Sequence, residues 1–163
     1  MALRPSLAPS AFQGGCRHPE RVVVTHPFNP PHLIPLVEVV GGARTCEAAI
    51  EAAMAAMTRL GRSPIRLRAE LPGHVVNRLQ AALWREAYHL VGRGVVSVAD
   101  LDAAVASGPG LRWALLGPIA TQHLSGGPGG RESQVRAQRD EALREVLAAK
   151  ERAGLTRREG QRP

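Results

Sequence analysis

Aromatic side chains make up only 3% of the 163 residues: two Trp, one Tyr and two Phe. That scarcity removes the stacking platform on which single-stranded nucleic-acid binders rely. Lysine is nearly missing as well. Lys150 stands alone beside 20 arginines, which run from Arg4 to Arg162 without gathering into a patch. The formal charge of +7 therefore reads as a compositional bias toward Arg and not as a nucleic-acid surface. Only two cysteines occur, Cys16 and Cys46, far apart and without metal-ligand spacing. They imply no disulfide framework and point to a reduced, cytoplasmic setting. No apolar run approaches 18 residues, so no membrane span is expected. Acidic residues are absent before Glu20, a faint transit-peptide feature, but no apolar signal core accompanies it. What is plentiful is aliphatic: 44% of the chain is hydrophobic, enough to bury a core in one domain or two small ones.

Residues 1–20 carry no clear period. Arg21 to His26 is a short β-branched run, expected as a buried strand. Pro27, Pro30, Pro31 and Pro35 break the following stretch into an extended loop. Leu36-Val37-Glu38-Val39-Val40 is a second strand with one charge in its middle. A helix is expected from Thr45 to about Leu60, with Ile50, Met54 and Met57 at helical spacing and Gly61 as its C-terminal cap. Ser63 to Ala69 reads as a third strand, completing an α/β pattern. Leu71-Pro72-Gly73 marks the best boundary, giving an α/β region at 1–71 and an all-α region at 72–163. In the second region a helix from His74 to about Gly92 places Val75, Leu79, Leu83, Ala87 and Leu90 on one stripe. Ser97 and Asp100 open a short helix through Ala106 in the manner of a capping box, and Gly108-Pro109-Gly110 stops it. A short helix at 117–124, a glycine-rich break at 126–130 and a final amphipathic helix from Arg131 to about Arg152 follow. That last helix turns Val135, Leu143, Val146 and Leu147 inward, and the last ten residues fray.

His26 lies at the end of a strand, where sites form in open α/β sheets. Glu38, twelve residues on, sits on the next strand, and the intervening loop can return the chain so that the two side chains meet. A Glu bound to one imidazole nitrogen fixes the tautomer and leaves the other as a general base toward a hydroxyl. On spacing alone, a satisfied structural histidine is the commoner case. Asn77, in the first turn of the long helix, is either surface or a group that orients a substrate carbonyl or the His–Glu pair.

The strings Thr25-His26-Pro27-Phe28-Asn29-Pro30-Pro31 and Pro35-Leu36-Val37-Glu38-Val39-Val40 resemble the active-site segment of the 3-hydroxyacyl-CoA dehydrogenase family. Pro72-Gly73-His74-Val75-Val76-Asn77-Arg78-Leu79 resembles the junction at which that family's helical C-terminal domain begins. Glu86-Ala87, Gly94-Val95-Val96-Ser97, Asp100-Leu101-Asp102 and Gly108-Pro109-Gly110-Leu111-Arg112-Trp113-Ala114 with Gly117-Pro118 follow in the family's order. The resemblance implies the C-terminal portion of a Rossmann domain followed by a helical domain, and an NAD-dependent dehydrogenase that oxidises the 3-hydroxyl of a 3-hydroxyacyl-CoA or of a small 3-hydroxy acid. It makes His26 the base toward a 3-hydroxyl, Glu38 its support, Asn77 an assistant at the same site and Asn29 a neighbour of the nicotinamide. It also implies a homodimer through the helical domain. The stretch 108–118 is more similar to the branch containing carnitine dehydrogenase and lambda-crystallin, which act on small polar 3-hydroxy acids, so that Arg112 would bind a free carboxylate with its planar fork; on the residue alone, an ordinary surface arginine is the commoner case.

Three departures from the family stand out. No Gly-x-Gly-x-x-Gly turn occurs in the sequence, although a dinucleotide fold uses one to cradle the pyrophosphate. Pro5 occupies the place of a functional serine. After Gly130 the helical domain is shortened. A chain so altered is expected to be N-terminally truncated and impaired in binding NAD, and the alternative reading is a non-catalytic helical dimerisation remnant.

Overall fold

A computed structural model of the chain describes residues 8–124 and 130–155. Pro5, the glycines at 126–129 and all but the first two of the last ten residues lie outside the described set. The described residues form two compact units, one through Glu86 and one from Ala87. The division falls inside a helix.

In the first unit, a short helix α1 (Pro9–Gln13) precedes a single 3-10 turn and strand β1 (Val23–Pro27). Strand β2 (Leu36–Gly41), helix α2 (Glu47–Arg59), strand β3 (Ser63–Leu67) and helix α3 (His74–Gly92) follow. The sheet order is β1-β2-β3. β1 runs antiparallel to β2, with His26 opposite Glu38, and β2 runs parallel to β3, with Glu38 opposite Ile65. β2 is therefore central, and its residues Val37 to Val40 are all buried. Alternation along a strand sends Val37 and Val39 to one face and Glu38 and Val40 to the other. On the first face Val37 and Val39 pack with Ile50, and Val23, Ala53, Met54 and Met57 close around them. Each such buried aliphatic side chain stabilises the unit by about 1.5–3 kcal/mol. β1 is only half-buried, alternating between partly covered and exposed residues, because it has a strand on one side only. The buried strand expected there is corrected accordingly.

The helix expected from Thr45 begins at Glu47, with Cys46 at its N-cap and no side-chain cap. Thr45 has another task. Its hydroxyl accepts the Gly42 N–H at 2.8 Å and donates to the Val22 carbonyl at 2.6 Å, tying β2's exit to β1's entry. Gln13 Nε2 also donates to it at 3.2 Å. Gly61 follows α2 with φ +71°, and its N–H donates to the Thr58 carbonyl at 2.9 Å. This is the left-handed closure that the sequence calls for.

The second unit holds α4 (Val98–Ser107), α5 (Pro109–Leu115), α6 (Pro118–Leu124) and α7 (Gly130–Arg152). Ser97 caps α4 as expected: its Oγ accepts the Asp100 N–H at 3.1 Å and donates to Asp100 Oδ2 at 2.8 Å. Gly108-Pro109-Gly110 stops α4 as expected, with Gly108 as its C-cap, and the same residues also open a further helix. α5 begins at Pro109, directly where α4 ends. The crossing is tight: a Cβ on Gly108 would lie 2.5 Å from the Ala104 carbonyl oxygen, and one on Gly110 would lie 2.7 Å from that of Val105. Glycine is needed here for close approach of backbone to backbone. Lys150 of α7 donates to the Ala106 carbonyl at 2.6 Å, placing its charge at the negative end of α4. Of the four α7 residues expected inward, Leu143 and Val146 are partly covered, whereas Val135 and Leu147 are exposed. On α3, Val75, Leu79 and Leu83 are likewise more exposed than their stripe suggested, and Trp84 and Tyr88 are exposed as well. Among the described residues no helix is long and apolar enough to cross a membrane.

Candidate active site

The cross-strand register does what the twelve-residue spacing required. Directly opposed residues of an antiparallel pair present their side chains on the same face, so the His26–Glu38 pairing brings imidazole and carboxylate together. His26 Nδ1 lies 3.2 Å from Glu38 Oε2. Glu38 is fully buried, whereas about a third of the His26 side chain (32%) is exposed. A carboxylate only accepts, so Nδ1 carries the hydrogen, and in the neutral ring Nε2 carries the lone pair.

A buried carboxylate must be satisfied on both oxygens. The second is held by the start of α3: Val75 N–H donates to Glu38 Oε1 at 2.8 Å and Val76 N–H at 3.2 Å. These are free amides of a helix's first turn, which carry no intrahelical partner and sit at the positive end of its dipole. The charge in the middle of an apolar strand is thereby explained. Glu38 is a fixed bridge between the helix terminus and His26.

His26 lines a cavity of about 320 Å³ with Pro27, Phe28, Asn29, Asn77 and Gln80. Its volume is at the small end of the range for ligand pockets. The four residues singled out in the first unit thus converge: His26, Asn29 and Asn77 on the cavity wall, and Glu38 beneath His26. Arg112 lies in the second unit, exposed on α5. Two residues were missed. Gln80 follows Asn77 by three on α3, a spacing that places both on one helix face, and that signal was readable. His74 was passed over as the first residue of a helix. It is buried at 4% exposure, and its ring stacks on that of His26 with centroids 4.4 Å apart and planes 16° from parallel.

His26, Glu38 and His74 bring potential ligand atoms within 4.8 Å of one another. Nitrogen lone pairs lie in their ring planes, however, and two nearly parallel, face-to-face rings cannot aim them at one point. The arrangement is that of a stacked pair and not of a chelate.

Burial and the neighbouring His26 hold the His74 imidazole below the usual histidine range, and Glu38 pulls more weakly the other way. A depressed value in the folded state means that protonation favours the unfolded chain. The contribution to stability is complete above the ordinary value of 6.5 and is lost as the pH falls from there through the folded-state value. The urea midpoint should therefore drop on acidification from about pH 7 to about pH 5, and His74→Phe should flatten that slope. An unchanged slope in the variant would exclude His74 as its source.

Two family models match the chain in sequence order: the NAD binding domain of 3-hydroxyacyl-CoA dehydrogenase over residues 5–70 and its C-terminal domain over residues 73–162. An L-carnitine dehydrogenase of Streptomyces griseus subsp. griseus is 56% identical over 112 residues, 69% of this chain and 33% of that protein. A 3-hydroxyacyl-CoA dehydrogenase of Gibberella moniliformis is 56% identical over 124 residues, 76% of this chain and 38% of that one. Among solved structures, 5-formyl-3-hydroxy-2-methylpyridine 4-carboxylic acid 5-dehydrogenase, an NAD+ dependent dismutase, superposes with a TM-score of 0.70 at 30% identity, covering 96% of this chain and 46% of that one. The chain spans between a third and two-fifths of the length of the curated relatives it matches. A strand-borne histidine, a carboxylate held by the first turn of α3 and both family models in order lead to one assignment: the chain belongs to the 3-hydroxyacyl-CoA dehydrogenase family.

Proposed function

We propose that the chain carries the reacting end of an NAD-dependent dehydrogenase that oxidises the hydroxyl of a small 3-hydroxy acid, of the carnitine or gulonate type, to the 3-oxo product. The observation that carries this reading is the His26–Glu38 pair set against a small cavity. In this reading Glu38 holds Nδ1–H, and Nε2 takes the proton of the substrate hydroxyl as general base. The imidazolium so formed is supported by the buried carboxylate 3.2 Å away. Asn77 and Asn29, on the wall of the same cavity, orient the substrate oxygen and border the nicotinamide, respectively. Arg112 supplies a fork for the substrate carboxylate. When bound, NAD would accept the hydride. The residues of this chain fit that reacting end. None of them forms a Gly-x-Gly-x-x-Gly turn, so the pyrophosphate finds no glycine cradle in these 163 residues, and weak NAD binding is part of the proposal. We take 1–71 as the α/β domain and 72–163 as the helical one, and a homodimer through the latter is supported by the exposed apolar residues on α3. Cys16 and Cys46 are free thiols, which accords with a cytoplasmic setting.

The test is NADH formation by the purified chain at high NAD, with carnitine, gulonate and 3-hydroxybutyryl-CoA in turn. The small acids should be oxidised faster than the thioester. A titration showing tight NAD binding would overturn the weak-binding element, and faster oxidation of the thioester would overturn the substrate class. A folded chain that oxidises none of the three would overturn the catalytic reading and favour the second one, a helical association module. The specific observation on the side of that second reading is the apolar surface of α3, where Leu79 is 57% exposed and Tyr88 75%.

A further inference from the structure

One feature of the site has no role in the reaction just described. A hydrogen bond from Nδ1 fixes one atom of the His26 ring but leaves the ring free to tilt about that contact. At 3.2 Å the bond is at the long end of the normal range. His26 stands on a half-buried strand and is a third exposed, so packing on the strand's own side does not supply the missing constraint. A second, planar contact is required if Nε2 is to hold one direction.

We propose that His74 is the positioning residue for His26, its ring acting as a plate that fixes the plane of the general base; this rests on the dehydrogenase reading above. Stacked aromatic rings at 4.4 Å have a restricted set of tilts, and the plate itself cannot move. His74 is buried, its N–H donates to the Leu71 carbonyl at 3.0 Å, and the next two residues are tied to Glu38. Three consecutive residues at the start of α3 thus address the pair: His74 by stacking, and Val75 and Val76 through the carboxylate. Gly73 and His74 both have positive φ, at 81° and 53°, a region that a non-glycine residue enters only under strain. A chain that needed only a helix start could use Asn or Gly at 74 without that strain.

The nature of the ring also matters. His74 Nδ1 is buried without a hydrogen-bond partner, so a bond at that nitrogen does not account for an imidazole at this place. Burial and the neighbouring His26 disfavour protonation of the ring, and a neutral π-face receives the positive charge that His26 acquires on taking a proton. Two stacked cations would repel.

The test separates ring from backbone. His74→Asn keeps a residue tolerant of left-handed φ and removes the ring. His74→Phe keeps a stacking ring and removes the nitrogens. In proton and nitrogen spectra of the whole chain, the stack shifts the His26 ring protons upfield, and the bond to Glu38 gives a slowly exchanging Nδ1–H signal. We expect His74→Asn to lose both signatures and His74→Phe to retain both, each in a chain shown to be folded by far-ultraviolet dichroism. His26 signals unchanged in folded His74→Asn would overturn the proposal, as would their loss in folded His74→Phe, which keeps the test decisive if the Asn variant unfolds. Neither readout uses turnover. A chain with both signatures that oxidises no hydroxy acid would refute the dehydrogenase reading and leave the stacking intact.

Discussion

Glu38→Ala should lower the unfolding free energy by about 3–5 kcal/mol, the scale for breaking a buried charged interaction by removing one partner. The substitution deletes a fully buried side chain and leaves two helix-terminal N–H groups, those of Val75 and Val76, without an acceptor. It also removes the partner of His26 Nδ1. Each orphaned buried donor costs about 1–3 kcal/mol, so the sum is a large fraction of a typical domain's stability. Glu38→Gln divides the two roles. Its carbonyl oxygen can still accept from Val75 and Val76, and the loss of stability should be much smaller. Its amide NH2 then faces His26, where it can only donate. Nδ1 must become the acceptor, and the hydrogen moves to Nε2, the nitrogen that the proposed chemistry needs bare. In a histidine base held in the wrong tautomer by an amide, turnover falls by up to about 10⁴-fold. Urea unfolding reads the first effect, and nitrogen spectra of the His26 ring read the second. A Gln variant as unstable as the Ala variant, or one that keeps the wild-type tautomer, would contradict this account of Glu38.

How much of this was readable in the chain itself follows the range of the forces involved. β2, α2 and α3 were legible because each is specified locally, by an apolar run, by helical spacing ending in Gly61, or by a Pro-Gly start. The His26–Glu38 meeting was legible as a possibility only. Spacing allowed it, but the register that realises it depends on where β1 and β2 begin to pair, a nonlocal fact. The role of Glu38 as an acceptor for α3 could not be read at all, since it links residues 37 and 38 positions apart. α5 was missed because Gly108-Pro109-Gly110, which does end α4, was not also read as a helix start. Proline fits the first turn of a helix, and only the tight crossing on Ala104 and Val105 shows that the three residues do both. His74 escaped notice for a related reason. Helix-start residues are usually chosen for capping, and nothing in the local sequence tells that this one is buried against a ring 48 positions earlier.

The largest effect on activity is expected from His26→Ala, with kcat/KM for the 3-hydroxy acid falling by about 10²–10⁴-fold, the usual contribution of a general base. The loss should fall on kcat with KM changed far less. A proton acceptor acts as the O–H bond breaks, whereas ground-state binding in the proposed site draws on Asn77 and Asn29. Stability should change little by comparison. His26 is a third exposed, and when it is removed Glu38 keeps both of its backbone donors. Removing the imidazole also leaves room beside Glu38, so added imidazole should restore part of the activity of the Ala variant. His26→Phe fills that room and should not be rescued. Wild-type turnover in His26→Ala would place the base elsewhere. Equal rescue of the Ala and Phe variants would mean that imidazole acts from solution, outside the cavity. The comparison with Glu38→Gln is then decisive for the pair as a unit. If both residues serve one proton transfer, the double variant His26→Ala with Glu38→Gln should be no slower than the worse of the two single ones, because groups that act together are not additive.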